Sequence, residues 1–119
     1  MYADNTLTFT ELHRNDITIL KAEGFIDASN AHKLEEKFNE LFSKANYKLV
    51  VNMDGLSFVG SAGWGIFLSY LRRLDEKGGG LKLTSMKEDV ESVFKIMEFF
   101  QLIESYATEQ EAYTSFRAN

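Results

Sequence analysis

Leu49-Val50-Val51-Asn52-Met53-Asp54-Gly55-Leu56-Ser57-Phe58-Val59-Gly60-Ser61-Ala62-Gly63-Trp64-Gly65 is the stretch that decides the fold. Leu49, Val50, Val51 and Met53 form a short apolar run typical of a buried strand. The strand is read as spanning 48–54 and ending at Asp54-Gly55, an ordinary turn pair. Leu56, Phe58 and Val59 then make a short apolar bridge, and a helical pattern begins at Gly60-Ser61-Ala62-Gly63-Trp64-Gly65. Trp64, Phe67, Leu68, Leu71 and Leu74 line one face of that helix, with Arg72, Arg73, Glu76 and Lys77 on its polar side. Ser61 therefore stands where a strand hands over to a helix N-terminus. A hydroxyl there is either a helix cap or a modifiable group.

Working outward, Leu7-Thr8-Phe9-Thr10-Glu11-Leu12 alternates like a half-exposed strand, and Ile17 to Gly24 supplies a second one. Asn15-Asp16 between them predicts an antiparallel hairpin. From about Ser29 to Lys44 the period becomes helical, with Ala31, Leu34, Phe38, Leu41, Phe42 and Ala45 on one face and Ser29 or Asn30 as N-cap. After the Ser61 helix, Gly78-Gly79-Gly80 ends the helix and Leu81-Lys82-Leu83-Thr84 reads as a strand. Ser85-Met86-Lys87-Glu88 has capping-box spacing and opens a third helix, with Val90, Val93, Phe94 and Met97 expected inward. A short strand at 103–107 follows. Thr108-Glu109-Gln110-Glu111 repeats the capping-box spacing before a last helix carrying Ala112, Tyr113 and Phe116. The order β-β-α-β-α-β-α-β-α predicts an α/β fold with a mixed, partly parallel sheet of about five strands and four helices.

At 119 residues the chain is expected to form a single domain over 1–119, with its core in about 7–117. Its formal charge of −5 argues against direct nucleic-acid or anionic-membrane binding, both of which need basic surface. The N-terminal Met1-Tyr2-Ala3-Asp4-Asn5 is neither basic nor apolar, and no long apolar run occurs, so no signal peptide or membrane insertion is expected. With no cysteine, disulfides and thiolate chemistry are absent and a cytoplasmic location is the expectation. His13 and His32 fall on different elements, which disfavours a metal pair. Ser61 lacks the G-x-S-x-G elbow, because Val59 holds the place of the first glycine. The glycine run follows a helix and precedes a strand, the reverse of a phosphate-cradling loop. Neither an enzyme nor a cofactor is expected.

This succession of elements resembles the STAS domain family, and within it the bacterial anti-sigma factor antagonists. The likeness runs from about Leu7 to Phe116. It is carried by Gly24-Phe25-Ile26-Asp27, by Val50-Val51-Asn52-Met53-Asp54 leading to Phe58-Val59-Gly60-Ser61-Ala62-Gly63-Trp64-Gly65, and by Gly78-Gly79-Gly80-Leu81-Lys82-Leu83. In the antagonists the loop before the second helix reads Asp-Ser-Ser-Gly or Asp-Ser-Thr-Gly, and its first serine is phosphorylated by an anti-sigma factor with serine kinase activity. Unphosphorylated antagonist binds that kinase and frees the sigma factor; a PP2C-type phosphatase resets the modified form. The resemblance implies the same partners here, with Ser61 as phosphoacceptor and Asp27 and Asp54 as matching acids. Gly60 replaces the acid before the serine, and Ala62 replaces the second hydroxyl.

The expected partner-binding set is Asp27, Gly60, Ser61, Ala62, Gly63, Trp64, Ile66 and Tyr70. Ile66 and Tyr70 enter it because they lie off the main apolar face of their helix. The implied function is transcription regulation by partner switching. The alternative is a phosphorylation-independent STAS scaffold subunit of a signalling or lipid-transport complex, which Gly60 and Ala62 motivate.

Overall fold

The computed structural model describes residues 5–118; Met1–Asp4, part of the N-terminal reading above, and Asn119 lie outside the described residues. The strands are β1 (Leu7–Arg14), β2 (Ile17–Ile26), β3 (Lys48–Val59), β4 (Gly80–Thr84) and β5 (Glu104–Tyr106). The helices are α1 (Ala31–Ser43), α2 (Ser61–Glu76), α3 (Glu88–Ile96) and α4 (Glu109–Arg117), with a 3-10 turn at Phe99–Gln101. The sheet order is β1-β2-β3-β4-β5. β1 and β2 form the expected antiparallel hairpin, while β2, β3, β4 and β5 run parallel. The mixed sheet and the element order are those read from the sequence.

Strand alternation divides the core between the two faces of the sheet. Leu20, Ala22, Leu49, Val51, Met53, Leu81 and Leu83 face α1, α2 and α3. Ile17, Ile19 and Val50 face α4 through Ala112 and Tyr113. Aromatic rings knit the larger layer together: Phe38 of α1 meets Phe67 and Tyr70 of α2 at centroid distances of 5.8 and 5.3 Å. α4 begins with the predicted capping box, in which Thr108 and Glu111 satisfy each other's backbone amides.

Several expectations need correction. β3 does not end at Asp54-Gly55 but continues to Val59, because β2 keeps pairing with it through Glu23↔Gly55, Gly24↔Leu56 and Ile26↔Val59. Two register shifts absorb the extra residues as bulges. Gly55 permits the first: a Cβ there would lie 2.7 Å from the Ala22 carbonyl oxygen. Asp54-Gly55 therefore marks a bulge, not a turn. The box at Ser85–Glu88 does not form. Lys87 is the N-cap of α3 without a side-chain cap bond, and the Ser85 hydroxyl turns back to Thr84 Oγ1 and the Ala107 carbonyl. Val93 and Met97 are exposed, since only the Val90–Phe94 stripe of this nine-residue helix meets the core.

Two backbone positions carry measurable consequences. A Cβ on Gly63 would lie 2.8 Å from Ile26 Cγ2 and 2.9 Å from Val59 Cγ1, both stiff β-branched methyls. Gly63→Ala is expected to lower stability by about 1–3 kcal/mol in urea unfolding; an unchanged midpoint would show that α2 can lift away without loss. Glu98 holds a left-handed φ of 60° at the end of α3. Glu98→Gly is expected to raise stability by roughly 1 kcal/mol, the left-handed penalty of a side chain, in the same measurement.

Candidate functional site

The site forms where β2 and β3 end side by side. Ile26 pairs with Val59, and the Gly60 amide donates to the Ile26 carbonyl at 2.8 Å. The residues that follow, Asp27 on one strand and Ser61 on the other, thus leave the same carboxyl edge of the parallel sheet, where open α/β sheets place their working loops. Gly60 is the N-cap of α2 in extended conformation, and its carbonyl accepts from Gly63 and Trp64 at 3.0 and 3.1 Å. Ser61 is accordingly the first residue inside the helix and not its cap.

That placement rules out the capping reading of the hydroxyl. Ser61 is exposed, and its side chain makes no hydrogen bond among the described residues. The backbone amides of Ser61 and Ala62 remain as first-turn donors, and the first turn of α2 carries no acidic side chain. An anion on Ser61 would meet the positive end of the helix dipole with no local carboxylate in that turn to oppose it.

The neighbouring loop is held by its own polar network. Asn30 is the N-cap residue of α1 but its side chain caps nothing. Its amide donates to Thr6 Oγ1 and the Phe25 carbonyl, each at 2.9 Å, and its Oδ1 accepts from the Asp27 amide at 2.9 Å. The Asp27 carboxylate accepts from the Ser29 hydroxyl at 2.5 Å and the Ser29 amide at 2.9 Å. Those two bonds, the hydroxyl first, hold its pKa below the usual aspartate range. Asp54 is exposed within β3 and takes no part in this network.

Of the residues expected to meet a partner, the structure leaves Ser61 exposed and Asp27, Gly60, Ala62 and Ile66 half-buried. Gly63, Trp64 and Tyr70 are buried, which corrects their reading as contacts. Gly63 lets α2 descend onto the strand ends. Trp64 donates its indole N–H to the Val59 carbonyl at 3.1 Å and stacks on Phe99 at 5.0 Å. Tyr70, 3% exposed, is drawn inward by Phe38 and Phe42 and covered by the Arg73 guanidinium 4.6 Å above its ring.

The surface that sequence reasoning missed is apolar. Phe58, 51% exposed, lies with Cε2 3.1 Å from where a Cβ on Gly60 would be, and with Val93 it lines a small cleft. Ile96 (78%), Met97 and Phe100 extend exposed apolar surface along the end of α3. The available signal was Leu56 and Val59 both needing to face inward three residues apart, which forces a bulge and turns Phe58 out. Among the described residues no three metal-ligating side chains converge, and no helix is long and apolar enough to cross a membrane.

A family model described as the STAS domain matches residues 10–112. The chain is similar to the anti-sigma-F factor antagonist RsfA of Mycobacterium tuberculosis, at 26% identity over 110 residues, covering 91% of this chain and 86% of that protein. Its fold is similar to that of an anti-sigma factor antagonist from Mycobacterium paratuberculosis, with TM-score 0.86 at 19% identity over 98% of this chain and 99% of that one. It also resembles the unphosphorylated anti-sigma factor antagonist SpoIIAA, with TM-score 0.72 at 22% identity, covering 94% of this chain and all (100%) of that one.

Because its hydroxyl caps nothing, Ser61→Ala is expected to change stability by less than about 0.5 kcal/mol, against roughly 1 kcal/mol for a capping serine. Thermal melting of the two proteins distinguishes these values. The depressed Asp27 pKa means its hold on the loop is complete above the ordinary aspartate value of about 3.9 and is lost as pH falls through the lower folded value. In an NMR carboxyl titration, Ser29→Ala should raise the Asp27 midpoint toward the ordinary value; an unmoved midpoint would contradict the assignment.

Proposed function

The chain belongs to the STAS domain family, and from that membership we propose that it is an anti-sigma factor antagonist working by partner switching. The observation that carries the reading is the free, exposed Ser61 hydroxyl at the carboxyl edge of the sheet. In this reading the protein is a binding module and not an enzyme. Its partner is an anti-sigma factor with serine kinase activity, which it engages while Ser61 is unmodified. Phosphorylation of Ser61 breaks the complex, and a PP2C-type phosphatase restores it.

The physics of such a switch follows from where the charge would go. Phosphate adds roughly −1.5 to −2 charges and several acceptor oxygens. At the start of α2 the dipole and free amides favour it by about 0.3–1 kcal/mol, so the fold tolerates it. The partner surface bears the cost, since a dianion inside a docked patch must be desolvated and accommodated. Phe58 and Val93 beside the loop offer the partner apolar area, and Asp27 offers a carboxylate. Gly60, Ser61 and Ala62 present little side-chain bulk, so a kinase active site can reach the hydroxyl.

A second reading retains the docking face without the switch. It is favoured by Gly60, where a Cβ would press on the Phe58 ring at 3.1 Å, and by Ala62. The STAS domain would then be a scaffold in a signalling or lipid-transport complex.

Incubation with the anti-sigma kinase and ATP, followed by intact-mass measurement, separates the two. The wild type should gain a single phosphate and Ser61→Ala none. A wild type that binds the kinase but is never modified would support the scaffold; one that neither binds nor is modified would overturn partner switching, and co-purification of transporter subunits or other STAS proteins would then support the scaffold.

A further inference from the structure

A second site lies at the opposite end of the parallel strands. β5 begins at Glu104, opposite Lys82, so the outer edge of β4 at Gly80 and Leu81 has no strand beside it. A cavity of about 320 Å3 opens there between β4, the end of α2 and α4. That size is at the lower end of small-molecule sites.

Its charged groups are unevenly satisfied. The Lys82 side chain is only 9% exposed, yet it carries an ammonium. It donates to Ser115 Oγ at 2.6 Å, pairs with Glu104 Oε1 at 3.7 Å and lies 4.2 Å from the Phe116 ring centroid. An ammonium has three N–H donors, and only the Ser115 contact is at hydrogen-bond distance, the Glu104 pair being longer. A buried ammonium gains from a full set of acceptors. Asp75, on the α2 side of the same cavity, makes no side-chain hydrogen bond or ion pair among the described residues. Burial and the Glu104 charge push its pKa upward, the direction a nearby cation would reverse. Lys82 and Asp75 thus line one cavity without forming an ion pair with each other.

The remaining walls narrow the ligand class. Leu71 and Leu102 contribute apolar surface. The amides of Gly78, Gly79 and Gly80 are already bonded to the carbonyls of Asp75, Leu74 and Tyr47, so the glycine run offers no phosphate cradle. Lys48 is engaged by Asp16 at 2.9 Å. We propose that this cavity binds a small zwitterion, an α-amino acid with an apolar side chain. Its carboxylate takes a Lys82 donor that Ser115 leaves unused, its ammonium lies at Asp75, and its side chain packs on Leu71 and Leu102. This site is separate from the Ser61 face and does not depend on the partner-switching reading.

An NMR titration of the 15N-labelled full chain with L-leucine tests it. Saturable shifts are expected at the amides of Leu71, Asp75, Gly79, Lys82 and Leu102. 4-Methylpentanoate and isoamylamine, which each keep one of the two charges, should bind at least about tenfold more weakly. Asp75→Asn, an exposed change that leaves the core untouched, should weaken leucine by a similar factor, and Lys82→Met should do the same. No saturable shift up to about 10 mM, shifts centred elsewhere, equal binding of the single-charge analogues, or full affinity in Asp75→Asn would each overturn the proposal.

Discussion

The contact on which the rest depends is the seat of Gly63 against Ile26 and Val59. Two parallel strands end together there, bound through the Ile26 carbonyl and the Gly60 amide at 2.8 Å. A helix starting immediately afterwards must press its first turn onto those strand ends, and only a residue without a side chain fits the 2.8–2.9 Å gap to the two methyl groups. Once α2 is seated, Trp64 is buried and can bond the Val59 carbonyl, Phe67 and Tyr70 meet α1, and Ser61 is left on the outer rim. Packing on the inside of the turn and exposure on its outside are consequences of one close approach.

The same geometry separates stability from function. Gly63 and Trp64 are packed into the fold, while the Ser61 side chain is exposed and makes no hydrogen bond among the described residues. Beside the loop lie side chains that folding did not bury, Phe58 and Val93. Fully burying such a side chain is worth about 1.5–3 kcal/mol each, a gain that docking in the proposed complex would realise. Glu98, in its left-handed conformation, ends α3 so that Phe99 turns in over Trp64 while Phe100 points out. The strained residue is therefore a joint between core and surface.

The element order, the hairpin and the Ala31, Leu34, Phe38 and Leu41 stripe of α1 were legible because their apolar periods are unambiguous; Ala45, expected on that stripe, is exposed beyond the end of α1. The capping box of α4 was legible as well, since Thr108 has no competing partner. Ser85 does have one: at the end of β4 its hydroxyl finds Thr84 and the Ala107 carbonyl, and the similar spacing at 85–88 forms no box. Asp54-Gly55 reads as a turn locally but is a bulge because β2 continues alongside, a non-local fact. Tyr70 was misplaced because a helix packed against both a sheet and α1 buries a wider arc than one stripe. The position of Ser61 was readable from the sequence, but its freedom from capping was not, since that depends on Gly60 taking the cap.

In the proposed switch, charge on Ser61 acts on the docking face and not on the fold. The most direct test is titration calorimetry of the anti-sigma kinase against the unmodified protein and the same protein carrying phosphoserine at 61, with melting curves of both. The expected result is a loss of about 2.8 kcal/mol, near a hundredfold in affinity, with melting unchanged or slightly raised. Equal affinity for the two forms, or a loss explained by unfolding of the phosphorylated protein, would contradict it.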